Sequence, residues 1–149
     1  MQSISISALE ARWQEIIRAM PELKRAAFED LGPEILAEVR EEIGGSGKVQ
    51  DWQEYQVGSR GGYVAVRPEA RTWTDGSGRY AVGYVTNAIN SGHGGRKEAV
   101  FDKVGHRKIV KTGFVPGKHF YEHAAQRSEA LIRKAVGRLE ARMKELVEQ

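Results

Sequence analysis

The hydrophobic period of this chain changes twice, from helical to strand-like and back, and this confines it to a mixed architecture. Over the first 43 residues apolar side chains recur three and four apart: Leu9, Trp13, Ile16, Ile17 and Met20, then Leu23, Ala27, Phe28 and Leu31, then Ile35, Leu36, Val39 and Ile43. That spacing lines one face of an α-helix. Ser7 with Glu10 has the form of a capping box, a hydroxyl and a carboxylate satisfying free amides at a helix start. Pro21 reads as an interruption and the first residue of a second helix. Gly32-Pro33 reads as a break or kink, and Gly44-Gly45-Ser46-Gly47 as the terminator.

From residue 50 the period shifts towards two, and β-branched and aromatic residues rise. Strands are predicted near residues 51–57, 63–67, 71–74 and 80–87. The separators Gly58-Ser59-Arg60-Gly61-Gly62 and Asp75-Gly76-Ser77-Gly78 are rich in residues that tolerate positive φ, and they read as hairpin turns of an antiparallel meander. From Pro116 onward Phe120, Ala124, Leu131, Ala135, Leu139, Met143 and Leu146 return to helical spacing. The expected fold class is α+β, one domain over residues 1–149. A strand region (50–87) forms a small antiparallel sheet packed against a helical segment (1–43) and a long C-terminal helix (116–148), with a long basic loop between. Leu131, Leu139 and Leu146 are expected to be buried.

Residues 88–115 show neither period and are predicted to form a long mobile loop. Between Ser91 and Gly113 stand five glycines, six cationic side chains (Arg96, Lys97, Lys103, Arg107, Lys108, Lys111) and two acidic ones. Such a stretch has little apolar area to set against the entropy of ordering, so it is expected to order only on a partner. These six cations are the candidate interface or DNA-channel residues. Aromatic interleaving is confined to Phe101 and Phe114, which argues against base-stacking recognition and leaves non-specific phosphate contact. Arg60, Arg67, Arg71 and Arg79 would extend such a surface. Charge is uneven overall: residues 1–43 carry −4 and residues 44–114 carry +5, surfaces that copies of the chain could offer one another.

Several function classes are excluded or disfavoured by residue content. With no cysteine among 149 residues, disulfides, thiolate metal sites and cysteine nucleophiles are ruled out. Apolar runs such as Tyr63-Val64-Ala65-Val66 are far too short to span a bilayer, so no membrane association is expected. The first nine residues lack the basic and apolar regions of a signal peptide. His119-Phe120-Tyr121-Glu122-His123 matches a metallopeptidase pattern, two histidines on one helix face with a carboxylate between, but no third ligand is evident outside the same helix. Gly44-Gly45-Ser46-Gly47-Lys48 fails as a phosphate loop, with Glu42 where glycine is required and Val49 where a magnesium-binding hydroxyl is required. No enzyme activity and no cofactor or metal are expected. Trp13, Trp52 and Trp73 read as core or interface anchors.

The stretch from Tyr80 to Ala125 resembles the tail-completion (minor tail, head–tail joining) proteins of long-tailed bacteriophages and prophages. The resemblance lies in a strand leading to a Gly-His segment, a Gly-rich basic stretch, and Gly113-Phe114-Val115-Pro116-Gly117-Lys118-His119-Phe120 opening the final helix. Two segments match the Gly-His step: Ser91-Gly92-His93-Gly94 and Gly105-His106-Arg107. The resemblance implies a structural protein without chemistry, assembling as a homo-oligomeric ring of six. Its implied partners are a tail-tube protein and a head-connector protein, with transient non-specific DNA contact. It also implies a virion location at the tail or neck, reached from the host cytoplasm, and it recasts His119 as part of a turn-to-helix element.

Overall fold

A computed structural model describes residues 5–45, 47–76, 78–95, 97–111 and 113–148. Its first element overrides both prolines: α1 runs unbroken from Ile6 to Ile43 with Pro21 and Pro33 inside it. A proline removes one bond to the carbonyl four residues back. Here Ile17, Glu29 and both prolines are exposed, so water can solvate the freed carbonyls of Ile17 and Glu29. Gly32 likewise does not break the helix. It is buried, and a Cβ at this position would come within 2.4 Å of the Tyr55 ring, so its missing side chain admits a neighbouring strand. The N-cap is Ser5, whose hydroxyl accepts from the Ala8 amide, so Ser7 lies inside the helix and the expected capping box with Glu10 is replaced by a single hydroxyl cap, Ala8 standing where the box needs a carboxylate. At the other end the Gly44 amide (φ 63°) donates to the Arg40 carbonyl.

A short helix α2 (Lys48–Asp51) leads into β1 (Gln53–Val57), which pairs antiparallel with β2 (Val64–Pro68). Next come β3 (Thr72–Asp75) and β4 (Gly78–Ala81), also an antiparallel pair. The predicted single meander is two separate ladders. Pro68 lacks an amide donor and ends β2, and the Arg71 amide turns back to the Glu69 carbonyl at 2.9 Å, so the chain rounds a corner before β3. Trp52 is buried and packs on Trp73 with ring centroids 5.6 Å apart.

The predicted strand at 80–87 is corrected beyond Ala81. Residues Val82–Ser91 form a helix, α3, burying Val82, Thr86 and Asn90 at spacing four. The alternation of Tyr80, Val82, Tyr84 and Thr86 imitates a strand. The Thr86 hydroxyl instead donates to the Val82 carbonyl one turn back, at 2.9 Å, which lets a polar β-branched residue sit buried on a helix face.

The long loop expected at 88–115 contains four strands. β5 (Gly92–His93) pairs with β8 (Val115–Pro116), and between them β6 (Lys97–Phe101) pairs with β7 (Arg107–Lys111) as an antiparallel hairpin. The C-terminal stripe is two helices, α4 (Phe120–Arg127) and α5 (Glu129–Glu148), joined at buried Ser128. α5 lies along α1, but Leu131, Leu139 and Leu146 are half-buried rather than buried, and Ala135 is its buried residue. The core is offset towards one end of α1. Val39, Phe120 and Ala124 form its centre, with Ile35, Ile43, Val66, Ile89 and Tyr121 packed around them.

Candidate assembly interface

The base of the β6–β7 hairpin is tied down at close quarters. A Cβ at Gly117 would lie 2.3 Å from the Asn90 carbonyl oxygen and 2.6 Å from the Gly92 amide nitrogen. Gly92, at φ 85°, would bring a Cβ within 2.6 Å of the Val115 carbonyl oxygen. Only glycine lets these two backbones meet. Asn90, buried at the end of α3, then caps α4 from outside. Its Oδ1 accepts from the Tyr121 amide at 3.1 Å, while its carbonyl accepts from the His119 amide at 2.9 Å. This external cap replaces the side-chain cap that His119 does not provide. His119 sits in the left-handed region (φ 51°, ψ 36°) and is the one such non-glycine residue among those described. Of the two Gly-His segments, Gly92-His93 is the one paired with the Val115–Phe120 element; Gly105-His106 lies in the hairpin turn.

The Tyr121 hydroxyl donates to Gln53 Oε1, tying α4 to the start of β1, and burial pushes that phenol up to about 12. The buried Gln53 side chain is held in turn through its Nε2, which donates to the Val49 carbonyl.

The hairpin itself is supported from within. Its turn is knitted by Asp102, whose Oδ1 accepts from the amides of Val104 (2.9 Å) and His106 (2.8 Å). These amide bonds, that of His106 foremost, hold the Asp102 carboxyl below its ordinary value. Every residue from Ala99 to Val110 is exposed, Val110 least of the large apolar ones, at 39%. Phe101 is 65% exposed and Val104, at the turn, 80%. The register sets Phe101 opposite Arg107, Ala99 opposite Ile109 and Val100 opposite Lys108, so both faces mix apolar and cationic residues. Of the six candidate cations, Lys103, Arg107 and Lys108 gather towards the turn. Lys97 and Lys111 face each other in the register at the open end, and Arg96 lies outside the described residues.

Where α1 meets the end of α4 and α5, it carries both a row of ion pairs and an apolar cleft. Arg127 meets Glu38 (3.2 Å), Glu41 (3.0 Å) and Glu42 (2.8 Å), which raises its already high pKa, chiefly through the Glu42 and Glu41 hydrogen bonds. Arg138 meets Glu34 and Arg142 meets Asp30, at 3.8 and 3.9 Å. Five of the nine carboxylates in residues 1–43 are thereby engaged within the chain, so the acidity that a basic partner segment might seek is largely spoken for. An apolar cleft of about 230 Å³ opens between Met20, Phe28 and Leu31 of α1 and Ile132, Val136 and Leu139 of α5. It continues into a second hollow lined by Trp13, Ile17, Met20 and Met143, with Lys24 and Arg60. Trp13 is 54% exposed and Ile17 61%.

The remaining motifs are dispersed. His119 approaches Glu122 and His123 approaches Glu42, each at 3.8 Å, and among the described residues no three His, Asp or Glu side chains are grouped as a metal site requires. Glu122 is held below its ordinary pKa, first by its own amide. Arg67 pairs with Glu54 and Arg71 with Glu69, and Arg60 belongs to the apolar hollow, so three of the four additional arginines have roles apart from the hairpin. Among the described residues no helix is long and apolar enough to cross a membrane. No family model, curated protein or solved structure matches this chain.

Proposed function

We propose that the chain is a non-enzymatic structural subunit that assembles with copies of itself into a ring, completing a bacteriophage tail and joining it to the head. The observation that carries this reading is a pair of unmatched surfaces on one protomer: a projecting hairpin with exposed apolar and cationic side chains, and an uncovered apolar cleft on the helical pair. Exposed apolar area of this extent marks an interaction surface. The resemblance of residues 80–125 to tail-completion proteins supplies the setting, a ring of six between tail-tube and connector proteins within the virion. In that setting Lys103, Arg107 and Lys108 would lie at a subunit contact or face the DNA passage, where contact would be non-specific and weakened by salt.

Sedimentation over a wide range of protein concentration tests the reading. The expected result is a concentration-dependent closed oligomer that is ring-shaped by negative-stain microscopy. A strict monomer at every concentration, with steep salt-dependent retention on duplex DNA, would replace it with a nucleic-acid-binding accessory role.

A further inference from the structure

Building on that reading, we infer that the β6–β7 hairpin of one copy seats in the apolar cleft between α1 and α5 of the next copy, with Phe101 and Ile109 facing Trp13, Ile17 and Met20. An isolated two-stranded hairpin is marginal in water, so one with no buried described side chain needs a surface to lie on. Within one chain the hairpin does not lie in the cleft: Phe101, Val104 and Ile109 stay 60–80% exposed, and the far end of the cleft is distant. The hairpin springs from the clamp beside Phe120, which packs at Val39. Met20 lies roughly 28 Å along α1 from Val39 at about 1.5 Å per residue. Each hairpin strand has five residues, a reach of about 17 Å.

Area favours the same contact. Ile6, Leu9, Trp13 and Ile17 are all exposed on the first half of α1, presenting on the order of 500 Å² of apolar surface, in the range of functional patches on monomers. The hairpin exposes Val100, Phe101, Val104, Ile109 and Val110, a comparable amount. Together with the cleft walls, one such contact supplies most of the roughly 800 Å² per partner of a standard interface. Two different patches are involved, so the contact is heterologous and propagates head to tail, closing as a ring or continuing as a filament. The nearby acidic ladder is already paired with Arg127, Arg138 and Arg142, and the receiving hollow carries Lys24 and Arg60, so the contact rests on apolar burial rather than on ion pairs with the hairpin's cations and should tolerate salt.

The absence of cysteine makes cross-linking a clean test. One preparation carries Val104→Cys and the other Lys24→Cys; they are mixed and oxidised. A disulfide-linked pair formed only in the mixture, and not when Gly76→Cys in the β3–β4 turn replaces Val104→Cys, supports the inference. Phe101→Asp and Trp13→Asp should each weaken self-association at least 100-fold without changing helix content or melting temperature, and raising salt from 0.1 to 1 M should not weaken the parent assembly. If the parent assembles but the mixture gives no cross-link, or each variant cross-links chiefly to itself, the hairpin–cleft contact is wrong and the ring reading stands. A parent that remains monomeric at every concentration overturns both.

Discussion

Phe120 and Phe101 lie nineteen positions apart in one segment and live in opposite worlds. Phe120 is 1% exposed at the centre of the core, beside a clamp where Gly92, Gly117 and Asn90 hold two backbones in contact. Phe101 is 65% exposed on a hairpin whose described side chains touch little beyond the hairpin itself. The contrast shows how an assembly element can be built: the base is over-determined by close packing and hydrogen bonds, so the arm leaves the body in a fixed direction while its own side chains remain available to a partner.

The most forceful way to break the comparison is to truncate both rings. Phe120→Ala should destabilise the protomer by about 3–5 kcal/mol, a full core truncation. Phe101→Ala should fall within about 0.5 kcal/mol, as surface changes do. Chemical denaturation measures both, and similar losses would mean that the arm belongs to the protomer's core. Gly117→Ala comes next, with an expected loss of about 2–3 kcal/mol because the added methyl meets backbone rather than side chain. Gly113→Ala, where a Cβ has open space, should be nearly neutral. Asn90→Ala removes the external cap of α4 and should cost about 1–2 kcal/mol. Its companion Asn90→Asp keeps an acceptor for the Tyr121 amide and should recover part of that loss.

The smallest effect concerns the turn of the arm. Asp102 has a folded pKa below its ordinary 3.8, so its carboxylate contributes to the turn at pH above that value. The contribution fades as pH falls through the lower folded value. Amide exchange protection at Val104 and His106 should therefore be steady near neutrality and drop in acid, and Asp102→Asn should flatten the profile. A profile that does not change on that substitution would detach the turn from the carboxylate.

The helical ends and the first three strands were legible because each carries a local signal: Leu9 through Val39 at helical spacing, and the β-branched and aromatic residues Tyr55, Val57, Val64, Val66, Thr72 and Trp73 bounded by glycine and proline. What escaped did so for identifiable reasons. Pro21 and Pro33 signal helix ends, but the signal fails here, where both prolines and the residues four back lie on the exposed side of α1 and water can solvate the carbonyls left free. Val82, Thr86 and Asn90 fit two periods at once, and the contest was decided by a hydroxyl bond within α3. The hairpin was unreadable because Ala99-Val100-Phe101 and Ile109-Val110 are consecutive apolar residues on a two-faced ribbon, so alternation leaves no trace in hydropathy. The six cations of the site were visible as composition. Their partition between the turn and the open end is set by the strand register, which composition does not reveal. Asn90 was hidden likewise, because its capping bond spans 31 positions and leaves no local signature.

The pairing of Gly92 with Pro116 also has a consequence in time. Bringing the two ends of this clamp together through an unstructured connection means closing a loop of about two dozen residues. Once β6 and β7 have zipped, a local event on the order of microseconds, the same closure spans about ten residues. The difference in loop entropy is about 0.8 kcal/mol, a factor of roughly four in rate. An arm that adds almost nothing to the equilibrium stability of its own protomer would thus still hasten the closing of the clamp that carries it.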